Sequence, residues 1–291
     1  MSTIAILYPG QMGRAFAALL RAAGHETISP MGCRSEKTQK SAREIGIGMR
    51  DSMADAVVES DLILSLVPPS AVVEVAHQAI RACREKNAMP VFIDLNAKPP
   101  ADAEYLSRVF DQASLPFCNA CIIGRASHLG EEGRIYVSGP DTMPIEKLFK
   151  GILPVIRLGD EIVQASIFKM VFAGFNKAVT AALFETANTA NAFDVTDPLF
   201  ELLEYHLGST LSDLRKLVPT YPHHITRRAE EMEALAQMLS DSRLPNKIAL
   251  AAGVTFRSLG SSDCWSGAET SPQFMELLLN TNYRVSSGKI V

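Results

Sequence analysis

The sequence has no basic excess: 28 lysines and arginines face 32 acidic residues, for a net charge of −4 over 291 residues. Neutralising a phosphate backbone takes a basic stripe, so a nucleic-acid binder is disfavoured. No uninterrupted apolar run reaches the about 18 residues of a membrane span. Met1-Ser2-Thr3-Ile4 lacks a basic n-region and Arg14 interrupts any apolar h-region, so a secretory signal is not expected. The five cysteines are odd in number and widely scattered. That usage fits a reducing cytosol better than a disulfide framework. What is abundant is apolar side chain: 47% hydrophobic against 21% charged. A chain of this length can bury a core without staples or metals, as one large domain or two ordinary ones.

The first half alternates short apolar runs with amphipathic segments. Ile4–Leu7, Glu26–Ser29, Asp61–Val67, Val91–Asp94, Phe117–Ile123, Ile135–Gly139 and Val155–Leu158 read as strands or apolar strand-like runs. Helical patterns stand between most of them. Gly24 closes the first, and Ser70 is placed to cap the one over Ala71–Lys86. Such alternation builds a doubly wound, mostly parallel sheet. After Gly159 no convincing strand follows. The expected organisation is therefore an α/β domain with a doubly wound sheet over 1–160 and an all-helical domain over 161–291. Helices are expected at Val163–Phe193, Pro198–His206, Leu211–Leu217, Ile225–Ser240 and Pro245–Leu259. The tail from Ser261, with Trp265, has no clear pattern.

The expected helix of Val163–Phe193 carries only Lys169, Lys177 and Glu185 as charges. About 31 residues at about 1.5 Å each span about 46 Å, more than the about 36 Å diameter of a domain of about 130 residues. Its apolar residues, among them Ile167, Val171, Phe172, Phe175 and Phe184, cannot share one stripe. A helix apolar on most faces needs cover on most faces. A second copy of the chain supplies it most simply; a kink at Gly174 with cover from the same chain is the alternative.

The first strand runs through Tyr8-Pro9-Gly10-Gln11-Met12-Gly13 into a helix. A glycine-rich strand-to-helix turn aims backbone N–H groups and the helix dipole at a pyrophosphate. Gly10 would let the phosphates approach, and Gly13 would let the helix pack on the strand. Tyr8 stands where the fingerprint has its first glycine. The carboxylate that favours NAD about 20 residues on is missing too. In its place come Arg34, Ser35 and Thr38, suited to pairing with a 2′-phosphate, which indicates NADP(H).

Tyr8–Gly13, Arg34-Ser35, Leu66-Val67-Pro68-Pro69, Asp94-Leu95-Asn96-Ala97, Ile122-Ile123-Gly124, Lys169–Gly174 and Glu231-Met232-Glu233 occur in an order and spacing that resemble the β-hydroxyacid dehydrogenase superfamily. That superfamily includes 6-phosphogluconate dehydrogenase, 3-hydroxyisobutyrate dehydrogenase and the imine reductases. Within it the chain looks most like a branch with a phosphogluconate-dehydrogenase-like C-terminal domain formerly of unknown function. The resemblance implies a Rossmann domain, a helical second domain and an interlocked homodimer. It implies that Val67, Pro68 and Pro69 lie beside the cofactor ribose, Asn96 near the nicotinamide, and Ile123 and Gly124 in the substrate loop. Lys169 matches the catalytic lysine, a general acid–base. Ile123 replaces the family's loop serine, and Ala173 the asparagine four residues after the lysine. Asn176, Arg227 and Glu231 are further substrate-site candidates; Arg227 and Glu231 equally fit a surface ion pair one turn apart.

The expected activity is an NADP-dependent dehydrogenase or reductase moving a hydride between nicotinamide and a small polar hydroxy or oxo substrate. An imine reductase and a non-catalytic dinucleotide-binding protein are the alternatives. Cys118-Asn119-Ala120-Cys121 has redox spacing but sits in an apolar run, which reads as two core cysteines. His206, His223 and His224 have no cysteine or carboxylate to complete a metal set. No metal, nucleic-acid or membrane partner is expected.

Overall fold

The computed structural model describes residues 1–32 and 34–261. The tail beyond Ser261, including Trp265, lies outside them. The chain divides into two compact units, Met1–Lys169 and Met170–Val291.

The first unit alternates strand and helix: β1 (Thr3–Leu7), α1 (Gln11–Ala22), β2 (Glu26–Pro30), α2 (Glu36–Glu44), β3 (Gly48–Arg50), α3 (Met53–Glu59), β4 (Leu62–Ser65), α4 (Val72–Lys86), β5 (Val91–Asp94), α5 (Pro100–Gln112), β6 (Phe117–Ile123), α6 (Leu129–Glu132), β7 (Arg134–Ser138), α7 (Met143–Phe149) and β8 (Val155–Gly159). The strands form one sheet in the order β3-β2-β1-β4-β5-β6-β7-β8. All neighbours are parallel except β6 and β7. Chain order reverses between β1 and β4, and in such sheets ligands bind at the strand C-terminal ends around that switch point.

The apolar runs form central strands because both faces are covered. Ile4, Ile6, Leu62 and Leu64 pack on one side with Phe16 and Leu20 of α1. Their alternates Ala5, Leu7 and Ile63 pack on the other with Val72 and Val75 of α4. Helix α1 closes as expected, with Gly24 at φ +84°. Ser70 does not cap α4: a 3-10 turn, Pro69–Ala71, intervenes, and Ala71 stands at the cap without a side-chain bond. The sequence pattern gives no sign of β3, whose Gly-Met-Arg has no apolar run and sits at the sheet edge.

The remaining helices are α8 (Gln164–Ala192), α9 (Thr196–Leu217), α10 (Ile225–Asp241) and α11 (Lys247–Ser261). Helix α9 is interrupted at Leu207, with φ −131° and ψ 27°, between the two helices expected there. The units divide inside α8 rather than near residue 160, because its first turns bond to the sheet: Ser138 Oγ accepts from Ala165 N at 2.9 Å. The second unit's core joins Ala181, Phe184 and Ala187 of α8 to Leu214, Tyr221, Met232 and Phe256. Helix α8 runs unbroken through Gly174. A Cβ there would lie 2.1 Å from Leu235 Cδ2, so the glycine lets α10 come close. Gln164–Ala192 is also long and apolar enough to cross a membrane by length and composition. Within the unit, however, its Lys177 pairs with Glu231 at 2.9 Å and Ala181, Phe184 and Ala187 are buried, as in a bundle's core helix.

Candidate functional site

The turn after β1 is built as a strand-to-helix connection open to a ligand. A Cβ on Gly13 would lie 2.4 Å from the Tyr8 carbonyl oxygen and 3.1 Å from Ile6 Cγ2, so only glycine lets α1 sit this close to β1. A Cβ on Gly10 would meet nothing within 4 Å, leaving the backbone approachable. Helix α1 has no side-chain cap and no acidic residue in its first turn. Its leading N–H groups, at Gln11 and Met12, are therefore not claimed by a capping side chain and suit an anion.

After β2, Ser35 caps α2, accepting from Thr38 N at 3.4 Å, and its hydroxyl lies 3.0 Å from that of Thr38. The Arg34 guanidinium stacks over the Tyr8 ring, 3.5 Å from its centroid. Tyr8, the departure from the glycine fingerprint, thus supports the arginine at the end of the neighbouring strand.

A cleft of about 220 Å³ opens at the strand ends, lined by Met12, Leu66, Val67, Leu95, Asn96, Ala97, Cys121, Ile122, Gly124 and Lys169. It gathers candidates from five places in the sequence. Lys169 donates to the Ile122 carbonyl at 2.7 Å. Pro68 and Pro69 are exposed beside this lining rather than part of it. Ile123 also stands outside it: it ends β6, paired with Arg134, while Ile122 and Gly124 face the cleft. A second, more open cleft of about 760 Å³ shares Met12 and includes Gln11, Arg14, Arg125 and Ser127. Nη2 of Arg125 donates to both carboxylate oxygens of Glu132, at 3.2 Å each.

Beneath the first cleft lies a buried polar network that the sequence pattern does not announce. Asn96 donates through Nδ2 to Asp94 Oδ1 at 2.7 Å and Ser65 Oγ at 2.9 Å, and its Oδ1 accepts from Val67 N at 2.6 Å. Lys98 pairs with Asp94 at 3.1 Å and donates to Asn119 Oδ1 at 2.5 Å. Asn119 in turn donates to the Ile162 carbonyl at 2.6 Å and Ser166 Oγ at 3.2 Å. The signal available in the sequence was the spacing of Asp94 and Lys98; a lysine between Ala97 and Pro99 otherwise reads as solvated loop.

Cys118 and Cys121 are buried in β6 with reduced thiols, which burial pushes up to about 12 and about 11. Three residues apart on a strand, they face opposite sides of the sheet. Among the described residues no group of three or more His, Cys, Asp or Glu could hold a metal ion. In the helical unit Glu231 pairs with Lys177 at 2.9 Å and with Arg227 at 3.5 Å. Asn176 precedes that lysine on α8 and is half-buried.

Residues 3–98 match the model of the NADP oxidoreductase coenzyme F420-dependent family. Residues 190–259 match a domain of unknown function, DUF1932. The "uncharacterized 28.5 kDa protein in 7S RNA 5′ region" of Methanothermus fervidus is 28% identical over 214 residues, 73% of this chain and 81% of the relative. Among solved structures, the conserved protein MTH1747, of unknown function and structurally similar to 3-hydroxyacid dehydrogenases, matches with 25% identity and a TM-score of 0.70, over 88% of this chain and 95% of its own. Mycobacterium tuberculosis 3-hydroxyisobutyrate dehydrogenase with L-serine shares the fold at a TM-score of 0.73 and 16% identity, over 97% and 99%. An imine reductase from a Pseudomonas species does so at 0.59 and 16%, over 96% and 99%. Domain composition and fold match the β-hydroxyacid dehydrogenase superfamily, with a Rossmann-type sheet domain followed by a helical one. They support a dinucleotide-dependent oxidoreductase.

Proposed function

We propose that the protein is an NADP(H)-dependent oxidoreductase acting on a small polar hydroxy or oxo substrate. The observation that carries this is the cleft at the switch point, which joins the cofactor-loop residues Met12 and Val67 to Asn96 and Lys169. The fit to a dinucleotide rests on the open face of Gly10 and the uncapped start of α1. Gly10, Gln11, Met12 and Gly13 would hold the pyrophosphate, Val67, Pro68 and Pro69 would flank the ribose, and Arg34, Ser35 and Thr38 would hold a 2′-phosphate. A nicotinamide supplies the hydride acceptor or donor.

The chain's own part is orientation and proton movement. Lys169 holds its side-chain nitrogen in the cleft, where it donates to the Ile122 carbonyl at 2.7 Å. As the neutral amine it would take the proton when an alcohol is oxidised, and as the ammonium it would return that proton when a carbonyl is reduced. Gly124 lines the same cleft, and a Cβ there would lie 3.0 Å from Gly133 Cα. Asn176, Arg227 and Glu231 are proposed as substrate contacts from the helical unit. A second copy would cover the apolar residues that α8 exposes, and three buried free thiols, Cys83, Cys118 and Cys121, suit a reducing cytosol.

Titration with NADPH and NADH tests the cofactor. Charge-assisted bonds from Arg34 are worth about 1.5–3 kcal/mol, so NADPH should bind about tenfold to more than a hundredfold more tightly, and Arg34→Asp should erase the preference. Equal affinities in the unaltered protein reject NADP. A panel of ketones, hydroxy acids and cyclic imines then separates a dehydrogenase from an imine reductase, and binding without turnover identifies a non-catalytic dinucleotide protein.

A further inference from the structure

Lys98 lies outside the cleft lining, yet its side chain is wholly buried and ionic. A buried ammonium needs acceptors on several sides to replace water. Lys98 has Asp94 at 3.1 Å and Asn119 at 2.5 Å. Each partner leads to a different wall of the site.

On one side the Asp94 carboxylate, ion-paired with Lys98 through Oδ2 at 3.1 Å, receives both the backbone N–H and the side-chain Nδ2 of Asn96 on Oδ1. The Asn96 amide cannot be flipped, because Val67 N–H can only donate and so requires the oxygen. Both Nδ2 hydrogens are used, by Asp94 and Ser65. What Asn96 has left for a ligand is the second lone pair of Oδ1. It is therefore an acceptor only, matched to a hydroxyl, an amide N–H or an ammonium.

On the other side Asn119 takes Lys98 on Oδ1 and spends Nδ2 on the Ile162 carbonyl and the Ser166 hydroxyl. Ser166 sits one turn before Lys169 on α8. The same ammonium thus ties down the acceptor at the end of β5 and the helical turn that carries Lys169.

We propose that Lys98 is a positioning residue that sets Asn96 as a hydrogen-bond acceptor and fixes the start of α8 against β6, so that the cleft selects a ligand offering a donor to Asn96 while Lys169 addresses its oxygen. This deepens the oxidoreductase reading and rests on it for the reaction, though not for the orientation of Asn96.

The test uses the uniformly 15N-labelled full chain and has two readouts. Without cofactor or substrate, hydrogen exchange of the Asn96 side-chain amide is followed by NMR in the unaltered protein and in Lys98→Met, which keeps the stem and removes the charge. Exchange should accelerate at least tenfold in the variant while β1 and β4 backbone amides stay protected. With NADPH and the best substrate from the panel, kcat should fall at least tenfold with NADPH affinity within threefold. Asp94→Asn/Lys98→Met leaves no unpaired buried carboxylate; it serves if the single variant does not fold, with the same losses expected. An Asn96 amide as protected in the variant as before, or an unchanged kcat in the folded variant, overturns the proposal. If the unaltered protein binds neither NADPH nor NADH, the oxidoreductase reading fails, and the exchange measurement still decides whether Lys98 orients Asn96.

Discussion

Each unit buries a cation, and the two are buried differently. Lys98, 4% exposed, lies in the sheet unit among point acceptors, the Asp94 carboxylate and the Asn119 amide oxygen. Arg228, 8% exposed, lies in the helical unit beneath the Tyr221 ring at 3.6 Å and donates to the Thr220 hydroxyl at 2.6 Å. Burial lowers the tendency of Arg228 to hold its proton and raises the pKa of the Tyr221 hydroxyl. A compact ammonium is satisfied by directed bonds, whereas a planar guanidinium can lie flat on a ring. The first arrangement fixes the directions of polar atoms that face a cleft. The second packs a core. The exposed ion pairs of the helical unit, such as Arg215–Glu204 at 2.8 Å, do neither strongly.

The sharpest break of this contrast is at Lys169, the last residue of the sheet unit. If the sheet unit carries the proton chemistry, Lys169→Met should lower kcat about 10²–10⁴-fold, the usual scale of general acid–base catalysis. Methionine keeps the apolar stem, so stability and NADPH affinity should stay close to those of the unaltered protein. Near-normal turnover by Lys169→Met on a confirmed substrate would remove Lys169 from the mechanism.

The helical unit should answer to a different perturbation. Helix α8 exposes Val171 at 49% and Phe175 at 68%, one helical turn apart. Apolar residues so placed mark an interaction face. Light scattering should give twice the 31.6 kDa chain mass, and Phe175→Glu should shift the protein toward single chains or aggregates. A stable species of single-chain mass at micromolar concentration in the unaltered protein would mean that the face is not a dimer interface.

The two units were also unequally legible. In the sheet unit, glycines and prolines punctuate apolar runs, so β1, β4, β5 and α1 could be placed from pattern alone. The edge strand β3 could not, since Gly48-Met49-Arg50 is only partly buried and lacks an apolar run. Nor does periodicity carry direction, so the antiparallel pairing of β6 with β7 is a tertiary fact. Gly10, Gly13, Asn96 and Lys169 were legible because turn geometry and motif order mark them. Lys98 was not: its burial depends on Asn119, distant in sequence, and on the start of α8. In the helical unit the break at Leu207 lay between two expected helices, but the closeness of α8 and α10 at Gly174 was visible only in space.

Glycine gives the finest test, because the units use it against different neighbours. A Cβ on Gly13 would strike the Tyr8 carbonyl oxygen at 2.4 Å, a backbone atom in a turn that also accepts from Gly10 N at 2.8 Å. That oxygen cannot rotate away, so α1 itself must shift, and Gly13→Ala should cost about 1–3 kcal/mol, as overpacking does. A Cβ on Gly174 would come nominally closer, 2.1 Å, but to Leu235 Cδ2, the far end of a flexible side chain. Leu235 can turn, and alanine adds about 1 kcal/mol of helix propensity over glycine. The net change for Gly174→Ala should therefore stay within about 1 kcal/mol of zero. Gly10→Ala meets nothing within 4 Å; it should leave the melting temperature unchanged while weakening NADPH binding. Thermal unfolding of the three variants ranks them. Should Gly174→Ala cost as much as Gly13→Ala, Leu235 would be held as rigidly as a backbone carbonyl, and the helical unit would be packed as tightly around its glycine as the sheet unit is around the β1–α1 turn.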